Sequence, residues 1–240
     1  MPESLVLLHG FAGTRRAWDG VIAALDSESY RPRALDLPGH GAHAASAPIS
    51  FASCAEDVLA ASPPHFTLCG YSLGGRVALH VALSAPQRVR RLVLVSTSPG
   101  IEDAGERAAR RASDEALAED LERAPYGDFI ERWRSQPLFA DEPPRVRALA
   151  RADHRRNRPR ALAAALRGLG AGAMQPLWNR LGELAMPVCV LVGERDAKYR
   201  RIGTRMAALL PRGELHILSG GHGLVLESPA ELAAAIESPP

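Results

Sequence analysis

Residues 69–75 read CGYSLGG, a serine two places after one glycine and two before another. The apolar run HFTLCG (65–70) leads into it, and the helical pattern GRVALHVALSAP (75–86) leads out. Strand, tight turn and helix in that order, with G-x-S-x-G at the turn, are the signature of a nucleophile elbow. Side chains at 70 and 74 would strike the neighbouring strand and helix, which is why glycine stands there. The helix then aims its first N–H groups at the serine, where they favour developing negative charge.

Such an elbow needs a parallel sheet behind it, and the rest of the chain supplies one. Short apolar runs, SLVLLH (4–9), YRPRALDL (30–37), HFTLCG, RLVLVS (91–96), PVCVLVG (187–193) and ELHIL (214–218), predict six strands. RRAWDGVIAALDS, FASCAEDVLAAS, GRVALHVALSAP and TRMAALLP lie between them and carry apolar residues at helical spacing. Strand and helix in alternation imply right-handed crossovers and a sheet with helices on both faces. Its active site is expected at the carboxyl ends of the strands. The alternation breaks between 101 and 184, where the pattern is charged and helical. We therefore expect a core of residues 1–100 and 185–240, and a helical cap of residues 101–184 over the strand ends.

A serine hydroxyl needs a base, and the base needs an orienting acid. His222, in SGGHGLVLE, follows the last strand and is the candidate base. Asp196, in VLVGERDAKY, ends the strand before it and is the candidate acid, with Asp103 as the fallback. The chain order Ser72, Asp196, His222 suits this type of elbow. The backbone N–H groups of Leu73 and of Phe11, in HGFAG, are the expected oxyanion hole. His9 and, in DLPGHG, His40 read as structural.

HGFAG, DLPGHG, GYSLGG, GERD and GGHGLVLE, in that order over nearly the whole chain, resemble the α/β-hydrolase family. The resemblance implies that family's fold: a mostly parallel sheet, helices on both faces, and a helical cap inserted after RLVLVS, the sixth strand in the family's usual count. GYSLGGR, STSPGI with ERAARRASD, FIERWRSQPLF and GERDAKY are further similar to the 2-succinyl-6-hydroxy-2,4-cyclohexadiene-1-carboxylate synthases of menaquinone biosynthesis. That family is implied to abstract a carbon-bound proton and eliminate pyruvate, a lyase reaction in a hydrolase fold. Its carboxylate-binding arginines fall on Arg76 and Arg110, its cap tryptophan on Trp133, and Tyr71 would line the pocket. Guanidinium suits this task because it grips a carboxylate with two parallel hydrogen bonds.

Three departures stand out. The family's third arginine falls on His154 by gapless count, with Arg155 and Arg156 next in line to take its place. Its second histidine, after the catalytic one, is Val225 here, and the strands that usually precede HGFAG are absent. These leave open a serine hydrolase of small carboxylic esters or carbon–carbon bonds, and a catalytically idle binder on the same fold.

Composition narrows the partners. With 46% apolar and 23% charged residues and a formal charge of +2, the chain reads as an ordinary globular protein, and the resemblance implies a small anionic substrate. Eight arginines and one acid fall between 145 and 167, but no stacking aromatics or binding module accompany them, so nucleic acid is not expected. No apolar run approaches the roughly 18 residues of a membrane span, and SLVLLHG comes too early for a signal peptide. We expect a cytoplasmic protein with no membrane contact, monomeric or weakly homo-oligomeric. Cys54, Cys69 and Cys189 stand singly among apolar neighbours and read as reduced filler. No cofactor and no metal are expected.

Overall fold

The six apolar runs pair side by side, every pairing parallel, in a computed structural model that describes residues 2–43 and 48–238. The strands are β1 (Glu3–Leu8), β2 (Tyr30–Leu35), β3 (Phe66–Tyr71), β4 (Val89–Val95), β5 (Val188–Gly193) and β6 (Gly213–Leu218), in the order β2-β1-β3-β4-β5-β6. Each begins within two residues of its apolar run. The order reverses between β1 and β3, so the loops leaving those strands diverge and open a crevice at the sheet's carboxyl edge.

Alternation along the strands divides the core into two layers. Val6, Leu8, Leu68, Leu92, Leu94, Val188 and Val190 face α2 (Phe51–Ala61), α3 (Leu73–Ser84) and α8 (Ala197–Leu209). Leu5, Leu7, Cys69, Val93, Val95, Cys189 and Leu191 face α1 (Asp19–Ala24) and α10 (Pro229–Glu237), with α9 (Leu224–Glu227) beside them. Strands buried on both faces need apolar residues at every position, which is why they read as continuous runs. The three cysteines are free and buried, and burial raises all three thiol pKa values, to about 11 at Cys189 and about 12 at Cys54.

Between β4 and β5 the described chain is helical: α4 (Ala104–Arg123), α5 (Tyr126–Arg134), α6 (Pro144–His154) and α7 (Pro159–Leu169), with short tight helices at 137–139 and 178–183. Asp103 accepts from the Glu106 N–H at 2.7 Å and caps α4, whereas the acid bonded to His222 is Asp196. α4 packs along α7, and Ala118, Leu121, Phe129, Leu162, Ala163 and Leu166 form a third apolar cluster. Ala12, from the loop after β1, belongs to it too. Part of the arginine-rich stretch is spent on the surface: Arg151 pairs with Glu131 at 2.5 Å, and Arg167 with Glu115 and Glu122 at 2.9 and 2.6 Å.

Candidate active site

β3 ends at Tyr71, α3 begins at Leu73, and Ser72 lies between them at φ 51°, ψ −109°. That backbone is costly for a residue with a β-carbon, about 1–3 kcal/mol, and persists only where its surroundings hold it. The flanking glycines are part of those surroundings. A β-carbon on Gly70 would come to 2.4 Å from the Gly74 carbonyl oxygen, and one on Gly74 to 2.2 Å from that of Leu8. The elbow is wedged between its own helix and the end of β1.

His222 Nε2 lies 3.2 Å from Ser72 Oγ, and Asp196 Oδ2 lies 2.8 Å from His222 Nδ1. His222 is 2% and Asp196 7% exposed, so their bond is shielded from competing water. The other Asp196 oxygen, Oδ1, accepts the Tyr199 N–H at 3.1 Å, which pins the carboxylate to the first turn of α8. With Nδ1–H donated to Asp196, Nε2 is free to take the serine proton. The Phe11 and Leu73 N–H groups donate to no protein acceptor among the described residues. Leu73 adjoins Ser72, and Phe11 lies on the cavity wall.

Ser72 and His222 open onto a cavity of about 480 Å³ between the strand ends and the helical insertion. Tyr71, Arg76, Arg110 and Trp133 also line it, as the resemblance implies. Burial holds the Tyr71 phenol above its ordinary pKa, so it stays a neutral donor. Arg76 forms no ion pair with the described residues, and its buried Nη1 has no hydrogen-bond partner. Burial lowers its pKa to about 10, which still leaves it charged. Arg110 spends its Nε on Asp114 at 2.8 Å. Trp133 packs edge-on against Phe11, ring centres 4.9 Å apart.

The structure corrects two candidates. His154 ends α6 and does not line this cavity; it borders a separate void of about 40 Å³ behind Trp133 and Phe11. There burial, and then the charge of Arg134, push its pKa down to about 3, so it carries no charge for a carboxylate. Arg155 is exposed and lines neither space. Arg156 is exposed too, 3.8 Å from Asp153. A gapless count gives a place along the helix, whereas each residue turns the side chain through about 100°.

Sequence reasoning missed Lys198 and Tyr199. Both line the cavity, and the Tyr199 ring centre lies 4.6 Å from that of His222. The signal was present, since both follow Asp196 within one helical turn. Arg195 also reaches the wall but is paired with the buried Glu227. His9 is structural: Nδ1 donates to the Gly10 carbonyl at 2.8 Å and Nε2 accepts the Leu37 N–H at 3.0 Å. Val225, at the place where the resemblance implies a histidine, is buried in the second apolar layer. Among the described residues, no three His, Cys, Asp or Glu side chains gather as a metal site, and no helix is long and apolar enough to cross a membrane.

Known proteins match the chain over most of its length. The alpha/beta hydrolase family matches residues 5–235. The 2-succinyl-6-hydroxy-2,4-cyclohexadiene-1-carboxylate synthase of Klebsiella pneumoniae is 37% identical over 238 residues, covering 97% of this chain and 91% of that protein. The putative synthase of the same name from Bacillus subtilis is 33% identical over 95% of this chain and 86% of its own length. The structure of MenH from S. aureus superposes with a TM-score of 0.90 at 33% identity, over 98% of this chain and 91% of that one. A hydrolase from Pseudomonas aeruginosa follows the same course, with a TM-score of 0.80 at 27% identity, over 98% and 88%. The chain is an enzyme of the alpha/beta hydrolase family, similar over nearly its whole length to that family's 2-succinyl-6-hydroxy-2,4-cyclohexadiene-1-carboxylate synthases.

Proposed function

We propose that this enzyme is a lyase that eliminates pyruvate from a polycarboxylated cyclohexene intermediate of menaquinone biosynthesis. The observation that carries the reading is the pair Arg76 and Arg110 on the wall of the cavity that holds Ser72 and His222. Two guanidinium groups, one of them unpaired, serve a substrate with several carboxylates and are of no evident use to a neutral ester.

In this reading His222 draws the proton from Ser72, and the serine oxygen takes a proton from a ring carbon of the substrate. The electron pair left behind forms a carbon–carbon double bond, and the carbon–oxygen bond to the leaving group breaks. Pyruvate departs as its enolate and is protonated. Asp196 keeps the imidazole oriented and stabilises its charge. The Phe11 and Leu73 amides receive the negative charge that builds on the carboxylate or carbonyl oxygen next to the reacting carbon. Arg76 and Arg110 hold the remaining carboxylates, with Tyr71 and Trp133 shaping the wall.

The same three side chains would also hydrolyse an ester, and the likeness to a hydrolase of 27% identity keeps that reading as the alternative. The deciding experiment incubates the enzyme with the menaquinone intermediate and reads pyruvate release, with a panel of p-nitrophenyl esters alongside. Pyruvate release far above ester cleavage is expected. Ester cleavage with no pyruvate would overturn the lyase reading.

A further inference from the structure

We propose that Asp153, in the last turn of α6, and Asn157, in the turn between α6 and α7, are positioning residues: they hold the loop 10–14 in the shape that presents the Phe11 N–H to the reaction centre. The proposal rests on the oxyanion role assigned to that amide above. It gives a task to the RADHRRN stretch, which supplies the cavity with no cation.

The loop has little support of its own. It leaves β1 at His9, and inside it the Gly13 N–H reaches the Gly10 carbonyl at 3.1 Å. Ala12 sits at φ 61°, a left-handed conformation that a residue with a β-carbon adopts only when neighbours hold it there. Those neighbours come from the helical insertion. Asn157 Nδ2 donates to the Ala12 carbonyl at 2.6 Å and to the His154 carbonyl at 3.1 Å, while its Oδ1 accepts the Gly41 N–H at 2.7 Å. One amide thereby ties the end of α6 to the loops after β1 and β2. Asp153 closes the other side of the loop: Oδ2 accepts the Thr14 N–H at 2.8 Å and Oδ1 accepts the Thr14 hydroxyl at 2.5 Å. Asp153 and Asn157 are 8% and 6% exposed, and Thr14 is 2% exposed.

Apolar packing points the same way. Ala12 is buried in the helical insertion's own cluster, and the Phe11 ring meets Trp133. The Tyr126 hydroxyl donates to the His154 carbonyl at 2.6 Å and fixes the end of α6, beside both side chains. The loop that carries the amide is thus bound on one side to the sheet, through His9, and on the other to the insertion. Without Asp153 and Asn157, two buried backbone groups, the Thr14 N–H and the Ala12 carbonyl, lose their partners. The loop then relaxes toward arrangements that satisfy them. Seating the insertion and shaping the oxyanion hole become one event.

The test uses Asp153→Ala, Asn157→Ala and Asp153→Asn in the full chain. Three quantities are read: kcat and KM for pyruvate release, melting temperature, and the rate at which a neutral p-nitrophenyl phosphate triester labels Ser72. In labelling, Ser72 Oγ bonds to phosphorus, p-nitrophenolate leaves, and His222 takes the serine proton, so the readout needs no knowledge of the natural substrate. Removing an oxyanion donor outright costs roughly 10²–10³-fold, and misplacing one should cost about 10–100-fold. We expect that loss in kcat and in labelling for both alanine variants, with KM changed less than about threefold. Asp153→Asn still accepts the Thr14 N–H and should recover most of it. Labelling and kcat within twofold of wild type in a stably folded alanine variant would overturn the proposal, as would a change in KM alone or an Asp153→Asn variant as slow as Asp153→Ala. If the alanine variants do not fold, Thr14→Val removes one of the two bonds to Asp153, and an unchanged labelling rate there would also overturn it. Slowed labelling in an enzyme that releases no pyruvate would leave this proposal standing and sink the lyase reading.

Discussion

Arg76 stands one helical turn after Ser72 at the start of α3. Its N–H donates to the Ser72 carbonyl at 3.2 Å, and both side chains border the same cavity. Residues four apart share a helix face, so the elbow that turns Ser72 out of the sheet brings a guanidinium with it. Because the two positions are joined by one turn of backbone, the α-carbons of Ser72 and Arg76 are set relative to each other by the elbow itself.

Ser72→Ala should abolish turnover while the fold survives. A positioned proton-transfer group contributes roughly 10²–10⁴-fold, and alanine keeps the strained φ of 51° without adding to it. Single-turnover kinetics and a melting curve check both halves; an alanine variant with wild-type kcat would remove Ser72 from the chemistry.

Arg76→Ala should chiefly damage use of an anionic substrate. A charge-assisted hydrogen bond contributes about 1.5–3 kcal/mol, so kcat/KM should fall roughly 10–100-fold. Cleavage of a small neutral ester should hardly change. Equal losses on the two substrates would make Arg76 a structural support of the elbow rather than a carboxylate clamp.

His154→Leu should make the protein less sensitive to acid. The folded ring has its pKa pushed down to about 3 by burial, whereas an unfolded histidine titrates near 6.5. Above about pH 6.5 the ring is neutral in both states and adds no pH dependence. Below that the unfolded chain takes up a proton the folded one refuses, so stability is lost progressively down to about pH 3. At pH 5 this amounts to up to about 2 kcal/mol. Melting temperatures at pH 7.5 and pH 5 should therefore differ by several degrees less in the variant, and an identical difference would mean that the folded ring protonates freely.

Gly74→Ala should destabilise the enzyme and slow it together. The new methyl would meet the carbonyl oxygens of Leu8 at 2.2 Å and His9 at 2.7 Å, both backbone. Relief requires the end of β1, and the loop carrying Phe11, to move, at about 1–3 kcal/mol as for other overpacked sites. Urea denaturation and kcat measured on the same preparation test whether the two losses travel together.

Much of this was legible in the sequence because its physical signal is local. A strand buried on both faces must be apolar at every position, so RLVLVS and PVCVLVG declare themselves. Gly70 and Gly74 mark the elbow because contacts within a few residues, and with the adjacent β1, leave no room for a side chain. Arg76 inherits its place from the same turn. His222 and Asp196 were legible through the order of the strands whose ends they follow, since a parallel sheet brings successive carboxyl ends to one edge.

What tertiary structure alone decided is everything that depends on rotation or on distant partners. Along the end of α6 a count cannot tell which residues face the cavity, and His154 and Arg155 turned elsewhere: one into a small void where burial strips its charge, the other to the exposed surface. Asp153, the single acid among eight arginines, reads as a solvated neighbour until Thr14 appears beside it from 139 residues away. Periodicity, turn chemistry and strand order are properties of neighbouring residues and can be read from the chain. The pairing of a carboxylate with an amide across two layers exists only once the chain has paid the entropy of bringing them together.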